Sequence, residues 1–148
     1  MTIEVAVATR ASSELLAALN RLLPQLSLSA PPLTPVSLET LLCSEGVTLF
    51  VATQDSAVVG TLSLVIWNTP TGVRAWIEDV VVDSSARGCG VGRALTEAAL
   101  LEASRRHARS VDLTSRPSRS AANALYRSVG FELRETNVYR FLVETDDH

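Results

Sequence analysis

The segment Val80-Val-Val-Asp-Ser-Ser-Ala-Arg-Gly-Cys-Gly-Val-Gly92 runs from a β-branched strand through a glycine-rich turn into a helix carrying Leu95, Ala98, Ala99 and Leu101 on its inner side. Strand, glycines and helix N-terminus, in that order, point successive backbone N–H groups and the positive end of a helix dipole into one concavity. Gly88, Gly90 and Gly92 let a ligand approach the backbone with no side chain in the way. The natural guest is a pyrophosphate. A dinucleotide fingerprint would need glycine where Arg93 stands, and it ordinarily opens a parallel βαβ unit near the start of a domain. The Walker phosphate loop is excluded because its Lys is missing. A corner that merely joins strand to helix is the remaining reading of this segment alone.

Upstream, Ile3 to Ala8 reads as a short strand. Ser12 or Ser13 then caps a helix in which Leu15, Leu16, Leu19 and Leu22 or Leu23 recur at helical spacing. Four prolines between Pro24 and Pro35 interrupt the pattern, in a stretch too apolar for an ordinary linker. It reads as an ordered loop over the core, either lining a substrate entrance or simply connecting. Ser37 to Leu42 is a second short helix. Val47 to Thr53 and Val58 to Trp67 are strands joined at Gln54, Asp55 and Ser56, and the Asn68–Gly72 turn leads into the strand Val73 to Asp83. After the glycine turn come a helix to about Arg109, a strand Ser110 to Thr114, a helix Ala121 to Val129, and terminal strands at Phe131–Arg134 and Val138–Val143. The order is β-α-α-β-β-β-α-β-α-β-β, an α+β fold with a mainly antiparallel central sheet flanked by helices, in a single domain over residues 1–148.

Composition agrees with one compact domain: 148 residues, 47% apolar, 20% charged, net charge -3. All 13 basic residues are arginines, outnumbered by 16 acids, so no overall positive charge is available for a nucleic-acid backbone. Cys43 and Cys89 lie far apart without His neighbours, which disfavours a metal site or a disulfide. The N-terminus is too short and acidic for a signal peptide, and no apolar run approaches the roughly 20 residues that cross a bilayer. A cytoplasmic protein without a membrane partner is expected. A homodimer is compatible with the sequence, which leaves the oligomeric state open.

A second motif follows. Ala121-Ala-Asn-Ala-Leu-Tyr-Arg-Ser-Val-Gly-Phe131 is a short helix ended by Gly130 in the left-handed cap position, with Tyr126 four residues before the cap. Together, Arg87-x-x-Gly90-x-Gly92 and Ala122-x-x-Leu125-Tyr126-x-x-x-Gly130-Phe131 resemble the GNAT superfamily of acetyl-CoA-dependent N-acyltransferases over roughly Trp76 to Val143. The resemblance implies that Arg87, Gly88, Cys89, Gly90, Val91 and Gly92 hold the coenzyme A pyrophosphate, largely through main-chain groups. It implies that the backbone of Val80, Val81 and Val82 pairs with the pantetheine arm, one N–H polarising the thioester carbonyl. Tyr126 then protonates the departing thiolate. Where the family often carries asparagine seven residues before that tyrosine, this chain has Arg119, which takes the cofactor contact; Asn123 is out of register.

An amine of pKa near 10.4 is protonated at pH 7 to all but about one part in a few thousand, so N-acyl transfer needs a route for that proton. Glu78 and Asp79 sit mid-strand, where neighbours face opposite sides of the sheet, so one of them can face the cleft. Glu78 is expected to bind the amine and take its proton, by resemblance to family members with a similar I-E-D sequence, and Asp79 is the reserve; the bland reading is that both flank a bulge or pair with arginines. No Cys–His or Ser–His pair is evident, which favours direct attack in a ternary complex. His107, with Arg105, Arg106 and Arg109, reads as cations at a helix C-terminus. Trp67, Trp76, Tyr139 and Phe141 are expected in the core rather than walling an acceptor pocket. The function expected is acetyl transfer from acetyl-CoA to a primary amine of a small molecule or a peptide N-terminus, without a metal. The alternative from another class is a non-catalytic acyl-CoA-binding regulatory module; a nicotinamide-dinucleotide protein is the third.

Overall fold

A computed structural model of the chain describes residues 2–145. Strand β1 (Ile3–Val7) leads to helix α1 (Ser13–Leu22), which begins where the Ser12 hydroxyl accepts the Leu15 N–H at 3.1 Å. Such a cap satisfies one of the helix's orphan donors and is worth about 1 kcal/mol. Leu15, Ala18, Leu19 and Leu22 form the buried stripe of α1. A 3-10 turn at Leu23–Gln25, carrying Pro24, ends it. Helix α2 (Pro35–Leu42) starts two residues before the expected Ser37, because Thr34 and Ser37 form a reciprocal capping box with Pro35 in the first turn.

Strands β2 (Val47–Gln54), β3 (Ala57–Thr69) and β4 (Gly72–Val82) form the antiparallel meander, with β1 added antiparallel to β2. Asp55 (φ 51°) and Ser56 (φ 67°) make the two-residue β2–β3 connection, in the left-handed pairing that matches strand twist. Helix α3 (Val91–Arg105) follows, then β5 (Val111–Asp112), parallel to β4, and helix α4 (Ser120–Val129). The sheet order is β1-β2-β3-β4-β5.

Helix α3 stops at Arg105 rather than near Arg109. His107 turns left-handed (φ 62°), the Arg109 N–H bonds the Val73 carbonyl at 3.0 Å, and its guanidinium reaches Thr71 O at 2.7 Å. Arg109 thus ties the chain to the β3–β4 turn instead of extending the helix, and Arg105 pairs with Glu102. Helix α4 ends on Gly130 (φ 119°), where the Phe131 N–H returns to Tyr126 O at 2.9 Å.

The sheet is covered on both faces. Val91, Leu95, Ala99 and Ala103 of α3 bury against Phe50, Ala52, Leu62, Leu64, Ile66 and Ile77. Leu15, Leu19 and Leu38 of the first two helices cluster with Leu49. Gly60 lets α3 approach, since a Cβ there would stand 2.8 Å from Val91 Cγ1.

The α+β class, the helices and the meander agree with expectation. The two C-terminal strands do not form. Residues 131–145 carry no regular secondary structure, and the expected strand over 110–114 shortens to Val111–Asp112. Alternating apolar residues make a strand only where a neighbour takes their backbone N–H and C=O groups. No strand among the described residues pairs with 131–145. Phe131 packs on the core, whereas Leu133, Val138, Tyr139, Phe141 and Leu142 are exposed, and so is Trp67. The expected core role of Trp67, Tyr139 and Phe141 is therefore not met. No helix among the described residues is long and apolar enough to cross a membrane.

Candidate active site

Strands β4 and β5 touch at only two positions, Ala75 with Val111 and Trp76 with Asp112. Beyond them the chains part, and a cleft of about 100 Å³ opens between Ile77, Glu78, Asp79 and Val80 on one side and Leu113, Thr114 and Ser115 on the other. Arg119, Tyr126 and Leu26 complete its lining. The parting leaves the β5-facing edge of β4 beyond Trp76 without a strand partner among the described residues, which suits an extended ligand laid alongside as an added strand.

A bulge shapes the same stretch. Thr61 lies opposite Val81 and Ser63 opposite Glu78, so Leu62 faces both Asp79 and Val80. Asp79, one of the two bulged residues, takes a left-handed conformation (φ 51°). Strand alternation is broken there, and both Glu78 and Asp79 line the cleft where only one was expected.

The glycine turn lies at the end of β4. Asp83 accepts the Ser85 N–H at 3.2 Å, which begins a 3-10 turn at Ser84–Ala86, and that hydrogen bond holds its carboxyl below the usual carboxylate value. Gln25 accepts the Ser84 N–H at 3.0 Å, tying the proline-rich segment to the turn. Gly88 (φ 79°) and Gly90 (φ 86°) are left-handed, and a Cβ at either would meet nothing within 4 Å. Their requirement is conformational, and the space beside them is open. Gly90 is the N-cap of α3, with no side chain capping the helix and no acid in its first turn. The first N–H groups of α3 therefore keep their hydrogen-bonding capacity for an anion. Gly92 lies at the α3–α4 contact instead, where a Cβ would stand 3.1 Å from Leu125 Cδ2 and press on that side chain. Val81 and Val91 bury their side chains, leaving only main chain to act, while Val80 and Val82 pack partly buried against the core. Arg87 and Cys89 are exposed.

Tyr126 lines the cleft from α4, its ring edge-on to Phe131 at 5.7 Å. Desolvation raises its phenol above the ordinary tyrosine value, and the Arg119 charge works in the opposite direction. Glu78 accepts the Trp76 indole N–H at 2.8 Å. Desolvation, and then the neighbouring Glu78 charge, raise the Asp79 carboxyl above the usual carboxylate value. Asn123 donates to Arg116 O at 3.0 Å and Arg119 O at 2.9 Å, so it braces the loop that carries Arg119 into the cleft. Ser115 was not anticipated; its buried hydroxyl has no partner among the described residues. A buried polar atom without a partner is costly, and a ligand in the cleft would relieve that cost. No local motif marks Leu113, Thr114 or Ser115; only the β4–β5 separation does. Leu26 belongs to the proline-rich segment, which therefore does line the cleft.

The acetyltransferase (GNAT) family model matches residues 16–131, and the chain belongs to that family. It is an acyltransferase by that membership. An acetyltransferase from Trypanosoma brucei is 30% identical, with a TM-score of 0.79 over 95% of this chain and 100% of its own. An aminoglycoside acetyltransferase from an uncultured soil sample shares the fold at 19% identity, with a TM-score of 0.84 and 97% of each chain covered. A glucosamine-6-phosphate N-acetyltransferase from Arabidopsis thaliana does so at 19%, TM-score 0.81, over 97% of this chain and 100% of its own. No curated protein matches by sequence.

Proposed function

We propose that the protein transfers the acetyl group of acetyl-CoA to a primary amine by direct attack in a ternary complex. The observation that carries this reading is the joining, along one strand, of an uncapped glycine-rich helix N-terminus to an unpaired strand edge. That edge opens into a cleft with one phenol and two carboxylates.

The donor fits the residues present. The turn from Arg87 to Gly92 offers N–H groups and no obstructing Cβ at Gly88 and Gly90, which suits a diphosphate. The open edge at Val80–Val82 suits an amide-bearing arm, and the orphaned Ser115 hydroxyl offers it one more hydrogen bond. Arg119 adds positive charge at the cleft wall. A strand N–H at Val80 or Val82 meets the charge that develops on the thioester oxygen, a fixed dipole with no reorganisation cost.

Tyr126 supplies the proton on the leaving side. A free thiol has a pKa near 8.5, and a phenol held above its usual value stays protonated at neutral pH, ready to neutralise sulfur as the bond breaks. The amine's proton goes to a carboxylate. Two features favour Asp79 over Glu78: Glu78 is engaged by the Trp76 indole, and Asp79 has the raised proton affinity. Glu78 then acts as the fixed negative charge that keeps that affinity high. The assignment reverses the order expected from sequence. Small-molecule amines are the favoured acceptors.

Coenzyme A release measured over a panel of amines tests the proposal. Turnover with at least one primary amine, together with a tyrosine-dependent rate, is expected. Tight acetyl-CoA binding with no acetylation of any amine would favour a binding module instead.

A further inference from the structure

Asp79 also lines a second cavity of about 100 Å³, on the α1–α2 side of the sheet. Its walls are Leu19 and Leu23 at the end of α1, Leu33 in the proline-rich segment, Leu41 on α2 and Leu49 on β2. Apart from Asp79, only Thr61 and Ser63 are polar. Thr61 spends its hydroxyl proton on Phe50 O at 3.0 Å, which leaves the Ser63 hydroxyl and the Asp79 carboxylate as the polar groups the cavity offers a guest. The proline-rich wall is held rather than loose: Asn20 donates to Leu33 O at 3.0 Å and accepts the Leu33 N–H at 2.8 Å. The left-handed bulge at Asp79 sets one carboxylate at the junction of this apolar cavity and the catalytic cleft.

We infer that the acceptor is a primary amine carrying a short aliphatic group, the alkyl part lodged among the five leucines and the nitrogen beside Asp79. The inference rests on the proposed acetyl transfer and adds the substrate class. Size bounds the guest, since a cavity of about 150 Å³ takes up benzene, and about 100 Å³ suits a chain of a few carbons. A polyhydroxylated or polycationic amine would bring more polar groups than Ser63 and Asp79 can partner among five leucines, and would be penalised for their desolvation. The neighbouring aminoglycoside and glucosamine-6-phosphate enzymes share the fold at 19% identity, so their substrates do not define this pocket.

The test compares methylamine, propylamine, 3-methylbutylamine, ethanolamine and putrescine as acceptors at one pH, by CoA release. Each added methylene should raise kcat/KM on the order of tenfold until the cavity is full, leaving 3-methylbutylamine well above ethanolamine and putrescine. Ser63→Phe, which fills the cavity, should raise KM for 3-methylbutylamine at least tenfold while leaving methylamine turnover and acetyl-CoA affinity unchanged. Leu41→Phe serves as the second variant if the first does not fold. Equal or better turnover of putrescine or ethanolamine, or a filled cavity with unchanged KM for the alkylamine, overturns the inference while leaving acetyl transfer intact. Absence of acetyl-CoA binding in the wild-type protein would instead overturn the activity beneath it.

Discussion

The indole N–H of Trp76 donates to the Glu78 carboxylate at 2.8 Å, two residues along the same strand, and in the proposed mechanism this contact divides the labour between adjacent acids. Glu78 is oriented by its neighbour's N–H and keeps its charge, whereas Asp79 has no hydrogen-bond partner among the described residues. Asp79→Asn is therefore expected to lower kcat by about 10² to 10⁴, the range for a lost general base. Glu78→Gln should cost about tenfold or less. Because the Glu78 charge helps raise Asp79, its removal should also move the acid limb of the kcat/KM profile to lower pH. Steady-state kinetics of both variants from pH 5 to 9 decide the assignment, and equal losses would reject it.

Asp79 makes a stability prediction as well. Its carboxyl is raised in the folded state, so the folded protein is relatively favoured below the unfolded value near 3.8 and loses that contribution as pH rises through the folded value. Asn tolerates the left-handed backbone of the bulge and carries no charge. Asp79→Asn should melt at a higher temperature than wild type at pH 7, with the difference vanishing toward pH 3. Differential scanning calorimetry at the two pH values would show it.

Tyr126→Phe keeps the ring against Phe131 and removes only the hydroxyl. A loss of about 10² in kcat or more, with acetyl-CoA affinity within twofold, is the expected pattern for a group that acts on the leaving thiolate. Weakened cofactor binding with unaltered kcat would assign the phenol to binding alone.

The glycines separate into two kinds by experiment. Gly60→Ala pushes a Cβ to 2.8 Å from Val91 Cγ1 and should cost about 1–3 kcal/mol in stability with no change in acetyl-CoA affinity of the folded protein. Gly90→Ala meets no neighbour but strains a left-handed residue, for about 1–2 kcal/mol. It should also weaken acetyl-CoA at least tenfold by distorting the cradle. Urea melts beside titrations would separate them.

The parts of this molecule visible in the sequence are those written in local chemistry. Ser12 or Ser13 as a cap, Gln54–Ser56 as the connection of two strands, Gly88 and Gly90 before α3 and Gly130 after Tyr126 each follow from what a few residues do to their own backbone. Non-local features were visible only in part, the bulge beside Glu78 and Asp79 as an alternative to a catalytic role. The bulge at Asp79 arises from the register between β3 and β4, and it is what brings both acids to the cleft. The parting of β4 from β5 sets Ser115 in the cleft wall with its hydroxyl buried and unpartnered among the described residues, and no motif marks it. Val138 to Val143 is apolar and aromatic as a strand would be, yet that composition does not supply a partner. Arg109 reads as a helical cation but is drawn away by the carbonyls of Thr71 and Val73.

Isothermal titration of the wild-type protein with acetyl-CoA and with desulfo-CoA, repeated on Gly90→Ala, addresses the founding assignment. Saturable one-to-one binding of both ligands, weakened at least tenfold in the variant, is the expected outcome. No heat with either ligand at millimolar concentration, or an affinity indifferent to Gly90, would mean that the elbow between β4 and α3 does not hold the donor.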